Sequence, residues 1–176
     1  MKFKIIYLLF LGSCFCYSQN DSQLIKLREY YKSEAVVFKE SYKPPFEIMN
    51  YKKSFTPTEA QIKEAERILV EQYNLSKKEI VDSINKNSKE TLSYPKSVKN
   101  VKKRLCKYRR QYIGYTTKEN DTIISVNLLN FKNKSKAKKY FSNWEKEYII
   151  GFDGFYYENI EYFNVNLTDK KLSVGN

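Results

Sequence analysis

The last third of the chain constrains the fold most. From Arg109 to Val174, apolar and polar residues alternate in short runs rich in Tyr, Phe, Ile and Val. Ile124, Val126 and Leu128 share one phase and Ser125 and Asn127 the other, the period of two that belongs to strands. Gln111–Thr116 and Thr122–Phe131 flank the polar cluster Lys118–Asp121, which predicts a β-hairpin. Trp144–Phe152 repeats the alternation and predicts a further strand, and Asp153–Gly154 reads as a turn. Phe163, Val165 and Leu167 alternate with Tyr162, Asn164 and Asn166, whereas Tyr156 and Ile160 fall out of phase. A one-residue slip would carry the apolar set into solvent, so residues 153–159 read as a longer loop or bulge. Leu172–Val174 predicts a short last strand. One apolar and one polar phase imply an antiparallel sheet covered on one face.

The cover must come from the first half. Leu24, Leu27, Tyr31, Ala35 and Phe38 stand at helical spacing, which predicts a helix over Ser22–Phe38 that Pro44–Pro45 ends. Thr56-Pro57-Thr58-Glu59 reads as a capping box between Thr56 and Glu59, and Ile62, Ala65, Leu69 and Tyr73 form one stripe behind it. Ser76-Lys77-Lys78-Glu79 repeats the box, with Leu75 and Ile80 as its staple, and predicts a second, shorter helix to about Asn85. Val98, Val101, Leu105 and Tyr108 predict a basic amphipathic helix. The expected fold is α+β, with N-terminal helices packed on an antiparallel β-meander of roughly four to five strands. Residues 20–55 would supply a helix and an extended connection, and 56–176 a single domain.

Residues 1–19 read as an export signal: Lys2 and Lys4, an apolar Ile5–Leu11, then Tyr17-Ser18-Gln19 as a cleavage region. The apolar run is too short for a permanent span. Leu11-Gly12-Ser13-Cys14 also fits a lipobox, which would make Cys14 a lipidated first residue. Both alternatives take the chain out of the cytoplasm, to the periplasm, the medium or a lipid-anchored place on the envelope. Cleavage near Gln19 would leave Cys106 without an internal partner, free to pair with a second chain.

No histidine occurs anywhere in the chain. Ser–His–Asp and Cys–His machinery is therefore absent, and so is the commonest metal ligand. The five glycines are scattered singly, so no phosphate-binding glycine loop exists. No cofactor or metal is expected. Glu145, Glu147, Asp153, Glu158 and Glu161 keep a carboxylate-dependent hydrolase acting on an envelope glycan open, since such chemistry needs two positioned acids. The formal net charge is +12, and no acid occurs from Thr91 through Lys118. Lys102, Lys103, Arg104, Lys107, Arg109 and Arg110 are the candidate anion-binding residues. Tyr112, Tyr115 and Trp144 are candidates for an aromatic binding face. The expected partner is an envelope protein or an anionic glycan or lipid rather than nucleic acid. The function these features favour is non-catalytic binding at the envelope, with electrostatic adhesion to anionic surfaces as a further alternative.

Tyr108-Arg109-Arg110-Gln111-Tyr112-Ile113-Gly114-Tyr115, then Trp144-Glu145-Lys146-Glu147, Asp153-Gly154 and Tyr162-Phe163-Asn164-Val165-Asn166-Leu167-Thr168, resemble a family of small exported proteins of Gram-negative bacteria. The resemblance covers roughly residues 56–174 and implies export and a small α+β fold. It implies no catalytic residue, because the family has no assigned activity. The chain departs from it after Asp153, where family members carry a second glycine and a shorter connection. The order of elements also resembles cystatin-like and PepSY-like folds.

Overall fold

The computed structural model describes residues 21–87, 97–151 and 154–175. The predicted signal, Cys14 and Asp153 lie outside the described residues. The fold is α+β. In chain order the elements are β1 (Ser22–Ile25), β2 (Ala35–Phe38), β3 (Tyr51–Phe55), α1 (Glu59–Asn87), α2 (Val98–Leu105), β4 (Tyr108–Thr117), β5 (Thr122–Asn130), α3 (Lys134–Tyr140), α4 (Gly154–Asn159), β6 (Ile160–Asn166) and β7 (Lys171–Val174). No helix among the described residues is long and apolar enough to cross a membrane.

The β4–β5 hairpin is the centre, with Tyr108 opposite Asn130 and Thr116 opposite Thr122. Asn120 takes the left-handed conformation that its tight turn requires, at φ 71°. The described strands form one seven-stranded sheet in the order β1-β2-β4-β5-β6-β7, with β3 also on β4. β2 runs parallel to β4 at Arg110–Tyr112, and β3 antiparallel to it at Gly114–Thr117, so the two share one edge. The expected antiparallel meander is β4-β5-β6-β7, and the sheet is larger than expected because β1, β2 and β3 join it, β2 through a parallel pairing.

On one face, Tyr112, Ile124, Val126, Leu128, Phe163 and Val165 pack under Ile62, Ala65, Leu69 and Tyr73 of α1 and Val101 and Leu105 of α2. The other face, expected to meet solvent, is also buried. Ile113, Leu129 and Ile160 pack against Ala137 of α3 and against Phe141, Trp144, Tyr148 and Ile149.

Several local expectations are corrected. Ser22–Phe38 holds two strands rather than a helix, because the Ala-Val-Val-Phe run of β2 is buried on both sides. Leu27 and Tyr31 are buried as their spacing predicts, but in the turn between the strands, where the Tyr31 amide donates to the Leu27 carbonyl. The two helices after Pro57 are one. Its cap is Thr58, whose hydroxyl accepts from the Gln61 amide while Gln61 Oε1 accepts from the Thr58 amide. The Thr56 hydroxyl accepts from Glu40 instead, and Leu75 is exposed rather than stapled. Tyr108 opens β4 rather than extending α2. Of the strand expected over Trp144–Phe152, the described part, Trp144–Gly151, is irregular, and Gly154–Asn159 is a short helix instead of a loop.

Candidate binding cleft

The basic stretch does not form one patch. Arg110 is wholly buried, with Nε 3.0 Å from Glu66 Oε1 and Nη2 3.3 Å from Oε2. Its Nη1 donates to the Leu105 and Tyr108 carbonyls at 2.7 and 2.6 Å. Burial acts to lower the Arg110 pKa, but the Glu66 carboxylate outweighs it and the guanidinium stays above its ordinary value. Tyr112 donates to the same carboxylate at 2.7 Å, and burial raises its pKa well above the ordinary value. Arg104 pairs with Glu161 at 2.8 Å. Arg110 and Tyr112 are therefore structural, and neither reaches an external ligand. Lys102, Lys103 and Lys107 are exposed and form no ion pair among the described residues. Arg109 lies on the opposite sheet face, stacked over Phe131 and Trp144. Cys106 is a half-buried free thiol.

The candidate acids also separate. Glu161 sits on the helix face, held by Lys77 at 2.9 Å and by Arg104, with the Tyr73 hydroxyl donating to it at 2.8 Å. Burial acts to raise its pKa, but the two cations outweigh burial and hold it below the usual carboxylate value. Glu145 and Glu147 belong to the segment packed on the other face, and Glu158 to α4 on that same side. Glu161 thus shares no site with the others.

On that second face, a cleft of about 410 Å³ opens at the Tyr115 end of the sheet. Strand pairing builds its floor: Ser125 of β5 stands opposite Asn164 of β6, which stands opposite Ser173 of β7. Tyr115 of β4 and Tyr162 of β6 line it, Tyr148 and Ile150 close one side, and Phe46–Met49 the other. Met49 is 82% exposed, so it lines the mouth. The Ser125 and Tyr148 hydroxyls share a hydrogen bond at 3.1 Å, and the Tyr162 hydroxyl donates to the Ile149 carbonyl at 3.2 Å. By contrast the Tyr115 hydroxyl and the Asn164 side-chain amide have no hydrogen-bond partner among the described residues. Among the described residues, Glu47 is the single charged one in the lining.

Burial raises the pKa of the Tyr115 and Tyr148 phenols and pushes Tyr162 up to about 12. All three are neutral donors near neutral pH. Ser125 has only such a phenol beside it, which is no base there. The cleft offers apolar walls, a free phenol, a free amide and one carboxylate, which suits a neutral, hydroxyl-rich ligand.

Of the aromatic candidates, Tyr115 lines this cleft, Trp144 lies under Arg109 at the other end of the same face, and Tyr112 faces α1, so the three form no single binding surface. Ser125, Tyr148, Tyr162 and Asn164 were not singled out from sequence. The signal was the polar phase of two paired strands, which needs either water or a cover, and the apolar Tyr148–Ile150 supplies the cover. Compared with known proteins, the chain matches no family model, no curated protein and no solved structure.

Proposed function

We propose that the chain is an exported, non-catalytic binding module of the bacterial envelope that holds a neutral glycan segment in the Tyr115–Asn164 cleft. The observation that carries this reading is the pair of polar groups without a partner among the described residues, the Tyr115 hydroxyl and the Asn164 side-chain amide, in a cleft whose other hydroxyls are already hydrogen-bonded. Sugar rings present apolar faces to such walls and vicinal hydroxyls to such groups. The volume falls within the roughly 300–1,000 Å³ usual for small-ligand sites. Among the described residues no Lys or Arg lines the cleft, which argues against an anionic ligand there. Export rests on the pattern of residues 1–19 and on the resemblance of residues 56–174. The separation of Glu161 from the other acids argues against carboxylate-pair hydrolysis.

The test is an NMR titration of the labelled protein with oligomers of N-acetylglucosamine and of glucose. Saturable shifts at Tyr115, Ser125 and Asn164 are expected. Tyr115→Phe should weaken binding about three- to tenfold, the worth of one neutral hydrogen bond. Shifts that never saturate, or binding untouched by both Tyr115→Phe and Asn164→Ala, would refute the assignment.

A further inference from the structure

The far end of the same sheet face carries a second cavity of the opposite chemistry. Arg109 stands six residues before Tyr115 on β4, in the same phase. Its Cζ lies 4.3 Å from the ring centroid of Phe131 and 4.6 Å from that of Trp144. Stacking engages the flat face of the guanidinium and leaves its N–H edge unused. That edge makes no hydrogen bond to the described residues, although Arg109 is half-buried. A notch of about 430 Å³ opens there, and Lys134 and Lys138 line it one helical turn apart on α3, with Ser142 beside them. No acid lines the notch, and none of the three cations forms an ion pair among the described residues.

We propose that this notch is a binding site for a phosphate monoester, with the Arg109 fork taking two phosphate oxygens and Lys134 and Lys138 neutralising the remaining charge. A fixed, planar donor pair matches tetrahedral oxyanions. Three cations without a counter-charge suit a dianion better than a carboxylate. Aromatic rings that already stack the guanidinium hold it in place before the ligand arrives, so little rotamer freedom is lost on binding. The notch shares no lining residue with the Tyr115 cleft, and the assignment stands independently of the ligand proposed there.

Trp144 is the chain's single tryptophan, so its emission reports the site directly. The full chain is titrated with inorganic phosphate, with glucose 6-phosphate, and with phosphatidylcholine vesicles containing phosphatidic acid. Glucose, sodium chloride and pure phosphatidylcholine vesicles serve as controls at constant ionic strength. A saturable emission change is expected with phosphate-bearing probes and not with the controls. A response to the soluble probes assigns the phosphate to a free or sugar-borne source, and a response to the vesicles alone assigns it to a lipid headgroup. Arg109→Lys keeps the charge but loses the fork, and should weaken binding about tenfold. Lys134 and Lys138 are exposed, so K134A/K138A keeps the fold and should weaken binding by a similar about tenfold factor. Tyr115→Phe should change nothing. An emission change matched by sodium chloride, or full binding by both Arg109→Lys and K134A/K138A, would overturn the proposal.

Discussion

Replacing Glu66 by Gln isolates the largest electrostatic commitment in the core. Arg110 and Glu66 are both fully buried, and the guanidinium spends four donors on Glu66, Leu105 and Tyr108. Glutamine keeps one acceptor oxygen but turns an amide donor toward either Arg110 Nη2 or the Tyr112 hydroxyl. It also leaves the arginine charge without a counter-ion. Breaking a buried pair in this way costs about 3–5 kcal/mol. With a urea m-value of about 1–3 kcal/mol per molar, the unfolding midpoint should fall by at least about 1 M. Arg110→Met alone should cost as much, since it strands the carboxylate and two carbonyls. The double variant Glu66→Gln/Arg110→Met removes both charges at similar volume and should lie far below the sum of the singles, with a coupling of at least about 2 kcal/mol. Equilibrium urea unfolding followed by far-UV circular dichroism measures all four corners of the cycle. A single variant costing under about 1 kcal/mol, or additivity within about 0.5 kcal/mol, would refute the argument.

Two further outcomes follow from other contacts. Glu161 has a folded pKa below its ordinary 4.5, so its stabilisation is present above that value and is lost as the pH falls through the depressed folded value. Glu161→Gln should therefore lower the melting temperature at neutral pH and flatten its fall in acid; a melting profile parallel to that of the unaltered protein down to about pH 2 would show that Lys77 and Arg104 give no net stabilisation. At Gly114, an added Cβ would lie 2.7 Å from the Phe55 ring and 2.8 Å from the Phe55 carbonyl oxygen, and the backbone atom cannot swing aside. Gly114→Ala should cost about 1–3 kcal/mol and speed amide exchange in β3 selectively, whereas unchanged exchange there would mean that the strand shifts without cost.

Where the residues themselves dictate the period, the chain was legible. The β4–β5 hairpin, the apolar phase of β6, the α1 stripe and the α+β class all follow from spacing alone. Ser22–Phe38 misleads because Leu27, Tyr31, Ala35 and Phe38 satisfy a helical period by coincidence. Burial of β2 on both faces depends on its parallel contact with β4, which is remote in sequence. The two boxes at Thr56 and Ser76 mislead in another way. A capping box is a local option, and Pro57-Thr58-Glu59-Ala60-Gln61 offers a second register that Gln61 completes. Among the candidate site residues, net charge could not tell Arg109 from its neighbour. Adjacent positions on a strand point to opposite faces, and only the partners decide that Arg110 meets a buried carboxylate while Arg109 meets two aromatic rings.

The polar phase of the sheet explains why the second face can carry two unlike cavities at once. A strand covering β4 and β5 would satisfy its own ladder, but the irregular segment after α3 has no ladder and needs side chains to take its backbone groups. Gln111 and Asn127 provide them. Gln111 Nε2 donates to the Trp144 and Glu147 carbonyls, its Oε1 accepts from the Ile149 amide, and Asn127 Nδ2 donates to the Ile149 carbonyl and to Gln111 Oε1. These two buried amides pin the segment from Trp144 at the notch to Ile149 beside the cleft. Apolar residues in their place would leave the Trp144 and Glu147 carbonyls and the Ile149 amide unpaired, at about 1–3 kcal/mol each. The segment would then lift from the sheet. What looked like a solvated phase is thus the fastening of the cover, and both the stacked Arg109 and the Ser125–Tyr148 pair owe their fixed geometry to it.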